Sequence, residues 1–442
     1  MKSTACFLLT AVFQVFMIGL FIATVMFDAE FGENGTSKRN TLDRKQPRDG
    51  DEYLYRDKAI KNNNNNFVEV ATGVFVYSAY YDNRDGRNLR LVALVQDPMY
   101  GDHGDVFCDF SGARVEATIY WSPEGHALQY TACLLSCEMP YYIDASQLGQ
   151  GVTLESDDGT RTTFDVNNVK EIGRDRVQFA VCVPPLFGNL SSANIDNFIV
   201  LTQVLGAEKI IFYEYFVNND VKLGLQRYQK SGLVEIKPWN MTLRESNVWY
   251  FGQSACIWDC MFHTMYSAEW IVFNDLDEYI VPKTDIKWYQ MIRNLQRNVE
   301  GKHVVAYEFP SYLFKMNDIW PQTQNIAGNN DKLAPSSSFN TVQFLPFNTF
   351  KRYHSADATR TKTILNPRLV FEPQIHRLGK PLFGNGTALK VNESVAAVHH
   401  YREKEEQSLR MSRWRMRNEV LGLVEDRTIL RYQEDFDRYV ET

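Results

Sequence analysis

From Val177 to Lys237 short apolar runs alternate with helically spaced ones, and this alternation restricts the fold more than any other feature of the chain. Val177 to Val183 reads as a buried strand that Pro184-Pro185 stops. Asn194 to Leu205 carries apolar residues at helical spacing and ends at Gly206. Lys209 to Tyr215 is a second expected strand, Val221 to Lys230 a second helix ending near Gly232, and Val234 to Lys237 a third strand. A βαβαβ order implies a parallel sheet with crossover helices. Ligands of such sheets bind beyond the carboxyl ends of the strands, so chemistry is expected there.

The strongest chemical signal lies at such an end. Trp270 to Phe273 is a short apolar run followed by Asn274-Asp275-Leu276-Asp277-Glu278-Tyr279. Two carboxylates spaced i, i+2 on a turn can converge on one hard cation, and Mg2+ or Mn2+ takes oxygen ligands while leaving places for substrate phosphates. Such a cation would offset the charge of a departing diphosphate. Bare Asp-x-Asp is weak evidence. Asp49/Asp51 lies in a polar stretch with no strand before it, and Asp435/Asp437 lies in a charged tail. Only Asp275/Asp277 has a buried strand delivering it within an α/β region.

The chain has 442 residues, enough for two folded parts. Residues 67–172 show short alternating stretches at Val74 to Tyr80, Leu89 to Gln96, Arg114 to Trp121, Gln129 to Leu135 and Val152 to Glu155, with turn signals between them. This predicts a small antiparallel β-sandwich. Asp102, His103 and Asp105 within it read as a solvated loop rather than a metal site. Upstream, residues 5–27 carry no charge and are long enough to span a bilayer, with Lys2 before them and Asp28 after. This predicts a signal anchor, a cytosolic tail at 1–4, a lumenal remainder and a polar stem at 28–66. Sequons stand at Asn34, Asn189, Asn240, Asn385 and Asn392. Outside the anchor, Cys108, Cys133, Cys137, Cys182, Cys256 and Cys260 could form three disulfides in any of 15 pairings. Their spacing does not suit zinc. Net charge is −7 and no basic stripe occurs before the last forty residues, which argues against nucleic acid as a partner. Plentiful Phe and Tyr would suit a sugar-binding surface as well as a core.

Several of these segments together resemble glycosyltransferase family 92, whose animal members include galactosyltransferases. The resemblance covers about residues 175–415. It rests on Val181-Cys182-Val183-Pro184, on Leu205 to Lys209 leading into Ile211-Phe212-Tyr213, and on Asp275-Leu276-Asp277-Glu278-Tyr279. Lys362 to Pro367 and His400-Tyr401-Arg402 fit the same family. It implies a GT-A type α/β catalytic domain over residues 173–442 and inverting transfer from a nucleotide sugar with Mn2+ (or Mg2+). UDP-galactose is the expected donor, a glycan the expected acceptor (fucose of N-glycans among the options), and a Golgi type II membrane protein the expected setting. A different UDP-sugar, or a glycan-binding protein without turnover, is the alternative.

The resemblance also orders the site residues. Folds of this kind often add a late histidine to the metal ligands, so Asp275, Asp277 and His400 are expected there, with His376 the runner-up. Lys362 and Arg402 are candidates for phosphate, Asp275 for bridging metal and donor ribose, and the loop after Pro184-Pro185 for uridine. The catalytic base stays open among Glu308, Asp318 and Glu278. The polar stretch from Lys315 to Phe350 would form an acceptor wall, with Tyr312, Phe314 and Trp320 available for stacking. The tail from Glu403 is charged with helical spacing, and its arginines read as a solvated face.

Overall fold

The computed structural model describes residues 66–168, 176–188, 190–299, 301–315, 345–401 and 421–441. The expected anchor at 5–27, nearly all of the stem, Asn189, Asp318, Trp320, Arg402 and the tail cluster of Arg410, Arg413, Arg415 and Arg417 lie outside the described residues. Among the described residues no helix is long and apolar enough to cross a membrane.

The first part contains nine strands: β1 Val68–Ala71, β2 Val74–Asp82, β3 Asn88–Gln96, β4 Val106–Phe110, β5 Ala113–Glu116, β6 Thr118–Trp121, β7 Tyr130–Glu138, β8 Val152–Ser156 and β9 Arg161–Phe164. They form two antiparallel sheets, ordered β1-β2-β3-β7-β6 and β5-β4-β8-β9, over a shared core that includes Val76, Leu91, Leu135, Leu154 and Phe164. The sandwich expected from alternation is therefore present. One expected strand is corrected: Arg114 to Trp121 is two strands in different sheets. The break falls at Ala117, whose N–H bonds the Val106 carbonyl at 2.8 Å while the chain passes from one sheet to the other.

The second part follows with β10 Val177–Phe187, α1 Ser192–Leu205, β11 Lys209–Phe216, α2 Asn219–Lys230, β12 Val234–Pro238, α3 Gln253–Thr264 and β13 Ala268–Phe273. Strands β12-β11-β10-β13 are parallel. Then come β14 Glu278–Pro282, α4 Trp288–Arg297, β15 His303–Phe314, β16 Lys351–Tyr353, β17 Asp357–Leu365, β18 Val370–Pro373, β19 Leu378–Pro381, β20 Gly386–Lys390, β21 Ala396–Tyr401, β22 Leu423–Glu425 and α5 Gln433–Glu441. β17 joins β13 antiparallel, and β15 continues the same sheet, so the sheet is mixed.

The prolines do not stop β10. It runs through Pro184-Pro185 to Phe187, with register shifts against β11 between Val183 and Phe187. The pairing with β13 ends at Cys182, so beyond that point one side of β10 needs no N–H donor and proline is tolerated. The expectation of three disulfides is also corrected. Cys108–Cys137 and Cys182–Cys260 form, while Cys133 and Cys256 are free and buried. Those two thiols belong to different apolar clusters, Cys133 inside the sandwich and Cys256 on α3.

Helix α3 joins the two parts. Nearly every residue in it is buried, because one side meets Tyr80, Val92 and Leu94 of the sandwich and the other meets Ala180, Cys182 and Ile211 of the α/β sheet. Lys61–Thr442 accordingly forms one compact unit. Asp259, fully buried on α3, ties the layers together. It accepts hydrogen bonds from Ser78 Oγ (2.5 Å) and Tyr80 OH (2.6 Å) of β2 and from Tyr213 OH (2.5 Å) of β11, and it pairs with Lys237 of β12. Burial pushes its carboxyl up, but Lys237, His263 and the hydrogen bonds outweigh burial and hold it below the usual carboxylate value.

Asp259→Ala is expected to destabilise the fold by about 3–5 kcal/mol, because Lys237 is left as an uncompensated buried charge. Urea denaturation of the variant beside wild type measures this. A carboxyl lowered on folding adds stability above its unfolded value and loses it as pH falls through its folded value. The Asp259 contribution is therefore present at neutral pH and lost below the ordinary carboxylate range, so the gap between wild type and variant should shrink in strong acid.

Candidate active site

The acidic turn lies at the carboxyl end of β13. The β13 strand is buried on both faces, with Trp270 and Val272 in one apolar cluster and Ile271 and Phe273 in the other, so its end is rigidly placed. The Glu278 N–H donates to the Asp275 carbonyl at 3.1 Å and closes the turn. Three neighbouring acids in a part-buried turn would repel one another and lose hydration, so they need cationic partners.

Two later strands supply them. β17 pairs antiparallel with β13, Val272 opposite Ile364, which carries Lys362 past the strand end to the turn. Its Nζ lies 2.9 Å from Asp275 Oδ2 and 2.7 Å from Glu278 Oε2, and the side chain is 2 % exposed. β14 pairs with β21 so that Glu278 stands opposite His400. The His400 ring lies between two carboxylates, Nε2 at 3.3 Å from Asp277 Oδ2 and Nδ1 at 3.4 Å from Glu278 Oε1. The Tyr401 N–H donates to the Asp277 carbonyl at 2.8 Å and locks this strand to the turn.

The charges sort themselves accordingly. Burial and the neighbouring Asp275 and Asp277 push Glu278 up against the opposing pull of Lys362 and His400. Asp275 is held low, since Lys362 outweighs the effect of burial. Burial pulls the His400 imidazole down, but Asp277 and Glu278 prevail and raise it. His376 behaves oppositely: burial and the Lys362 charge lower it to about 4, and its Nδ1 lies 3.1 Å from the Thr361 carbonyl.

A cleft of about 240 Å³ adjoins the turn, lined by Val183 to Phe187 and Leu190, by Tyr250, and by Asp275, Leu276 and Asp277. Pro184 and Pro185 therefore face Asp275 and Asp277 across one cavity. The expected site residues distribute unevenly around it. Asp275, Asp277, Glu278, Lys362 and His400 come together. Lys362, read as a phosphate contact, is instead turned into the acidic turn. Glu308 sits on β15 opposite Thr363 and accepts the Leu378 N–H at 3.1 Å, one register position from Phe309, the partner of Lys362, and so on the other face of the sheet. Tyr312 and Phe314 are buried rather than open for stacking.

The donor set suits a hard divalent cation: two carboxylates of one turn and an imidazole. Asp277 and His400 already face one another, and Glu278 holds the other ring nitrogen of His400, the arrangement that orients a ligating histidine. Asp275 is engaged by Lys362. Among the described residues no three such groups converge as a ready-made cage.

Tyr250 is a lining residue that sequence patterns did not single out. Tyr250 (φ 43°), Phe251 (φ 56°) and Gly252 (φ 78°) form three consecutive left-handed residues. Each non-glycine residue so placed costs on the order of 1–2 kcal/mol. The turn is held by Phe251, whose ring packs 4.0 Å from that of Phe187 and whose carbonyl accepts Trp239 Nε1–H at 2.7 Å. The Phe-Gly pair after two aromatics was the only local hint.

These features describe a site at a strand end of an α/β sheet. The family model of glycosyltransferase family 92 matches residues 177–440. The chain belongs to glycosyltransferase family 92 and is a glycosyltransferase. Over 354 residues it is 27 % identical to beta-1,4-galactosyltransferase galt-1 of Caenorhabditis elegans, covering 76 % of each chain. A second glycosyltransferase family 92 protein of that organism is 26 % identical over 235 residues, 42 % of this chain and 45 % of its own. Among solved structures, a mannosyltransferase from Pyrobaculum calidifontis in complex with GDP-Man and Mn2+ is 9 % identical with a TM-score of 0.27, covering 61 % of this chain and 72 % of its own.

Lys362→Met should cost about 3–5 kcal/mol of stability, because Asp275 and Glu278 lose their shared counter-charge in a buried setting. Chemical denaturation reads the loss. The double variant Lys362→Met/Glu278→Gln should recover part of it, since one of the two stranded carboxylates is removed.

Proposed function

We propose that the chain transfers a hexose from a UDP-sugar to a glycan acceptor with inversion at the anomeric carbon, on a GT-A type domain. The observation that supports this most is the pairing of His400 with Asp277, Nε2 3.3 Å from Oδ2, beside a cleft that Pro184, Pro185, Asp275 and Asp277 line at the end of a central strand. UDP-galactose is the proposed donor, on the strength of the galactosyltransferase among its relatives, and a fucosylated N-glycan the proposed acceptor. Residues 5–27 are proposed as a Golgi membrane anchor with the enzyme on the lumenal side.

In this reading the nucleotide lies in the cleft, against Pro184 and Pro185, with its diphosphate toward Asp275 and Asp277. Asp277, Asp275 and His400 would hold Mn2+ or Mg2+, whose charge would offset that of the leaving diphosphate. Glu278 and Lys362 position these groups from behind: Glu278 fixes the His400 ring, and Lys362 fixes Asp275. The acceptor oxygen attacks C1 of the donor sugar, its proton passes to a carboxylate, and the C1–O bond to phosphate breaks with its electrons going to UDP. Glu278, buried and doubly partnered, is assigned to positioning, and Glu308 lies on the sheet face away from Lys362, so of the three base candidates Asp318 is the one retained. Arg402 is retained as a candidate for the diphosphate.

The test incubates the full-length chain with Mn2+ and a panel of nucleotide sugars, and measures UDP release with and without a fucosylated N-glycan. UDP should appear from UDP-galactose and rise with acceptor, and Asp277→Asn should lower turnover by about 100-fold or more. Full turnover in Asp277→Asn would overturn the site assignment. UDP binding without release from any donor would favour a glycan-binding protein.

A further inference from the structure

Backbone strain in the chain is not scattered. Five non-glycine residues among those described have left-handed φ, and four of them are His126 (54°), Ala127 (53°), Tyr250 (43°) and Phe251 (56°). They come from two loops more than a hundred residues apart, one in the sandwich and one at the cleft. The loops meet. The His126 ring stacks on Trp249 with centroids 3.8 Å apart and planes 22° from parallel. On the sandwich side, Tyr100 OH donates to the Ala127 carbonyl at 2.7 Å, which adds a third ring to the row.

The rings are also exposed. Tyr100 is 51 % exposed, Trp249 42 % and Tyr250 47 %. Phe251 packs between Phe187 and Tyr215, while Trp249 and Tyr250 just before it stay exposed. Strained conformations that persist away from glycine concentrate where function requires a particular presentation. Here they hold exposed rings of a sandwich loop against the loop that carries Tyr250 into the cleft wall, with His126 and Trp249 covering one face of each other and leaving their outer faces open. A pyranose has an apolar face formed by its C–H groups, and an aromatic ring lies flat against it. Trp249 directly precedes Tyr250 in the chain, so an extended molecule across these rings would bring one end to the cleft.

We propose that Tyr100, His126, Trp249 and Tyr250 form the platform for the acceptor oligosaccharide, and that the β-sandwich is thereby part of the acceptor site. The inference rests on the transferase reading and adds where the acceptor lies. The sugar to be modified sits near Tyr250, and the units behind it run over Trp249 and His126 toward Tyr100. Affinity then grows with acceptor length.

Binding is measured on the full-length chain without donor, by saturation-transfer NMR and tryptophan fluorescence, using a fucosylated N-glycan oligosaccharide and free fucose. UDP affinity is measured separately. Trp249→Ala and Tyr100→Ala should each weaken the oligosaccharide about ten-fold, the effect of truncating an aromatic contact residue, and leave UDP affinity unchanged. Trp249→Phe should recover most of the loss because a ring remains. Tyr100→Ala should spare fucose, which does not reach that end. Oligosaccharide affinity within two-fold of wild type in both alanine variants would overturn the proposal, as would wild type binding UDP but no oligosaccharide. If Trp249→Ala fails to fold, Tyr100→Ala, an exposed change, decides alone. Failure of the wild type to bind UDP would count against the transferase reading, while the platform is judged on the oligosaccharide series.

Discussion

The ammonium group of Lys362, held between Asp275 and Glu278, is the interaction on which the candidate site depends. Three carboxylates within four residues cannot share a part-buried turn unless positive charge stands among them. Lys362 supplies that charge from β17 and His400 supplies more from β21. Both reach the turn only because their strands pair with the correct register beside β13 and β14. A one-residue slip of β17 would turn Lys362 to the opposite face and leave the acids unpaired. Sheet order and site chemistry are thus one constraint, and the electrostatics penalise a misregistered sheet as strongly as the core does.

The sandwich is bound into this arrangement by burial as much as by polar contact. Helix α3 has no solvent side to spare, so removing the sandwich would expose Ala255, Trp258 and Phe262 together with the Asp259 network. A buried carboxylate surrounded by three hydroxyl donors and a lysine is costly to assemble unless every partner is in place. Its partners come from both parts of the chain, which makes their docking specific as well as apolar. The same contact brings the His126 loop alongside Trp249, so the layer that stabilises the catalytic part also extends the surface at its mouth.

Much of this was readable in the residues. The alternation from Val177 to Lys237 placed two helices and three strands within a few residues of their observed ends, and the strand before Asp275 distinguished that pair from two look-alikes elsewhere. The sandwich followed from turn signals and period-two patterning. What escaped notice had physical reasons. A strand can run through Pro184-Pro185 when its N–H groups face no neighbour, and pairing partners are not written in local sequence. Gln253–Thr264 carries no apolar stripe because both its faces are covered, so helical periodicity says little about it. Lys362 was legible as a candidate for phosphate, but its inward direction depends on strand register. Three left-handed residues in a row at Tyr250–Gly252 contradict local preference, and tertiary contacts through Phe251 override it. Disulfide choice depends on which core each thiol enters, and that is settled only when the layers are assembled.

The Cys182–Cys260 bond has one more consequence. It joins the central strand β10 to α3 across 78 residues, enclosing both crossover helices and the two outer parallel strands in a covalent ring. That half of the sheet can fray but cannot drift away from β10, since the ring limits how far any of its segments can travel. The other half, which contributes Lys362 and His400, has no such tether among the described residues. Breathing of the molecule is thereby shifted to one side: the cleft wall from Val183 to Phe187 is tethered, and whatever give the cleft has falls to the strands beyond β13.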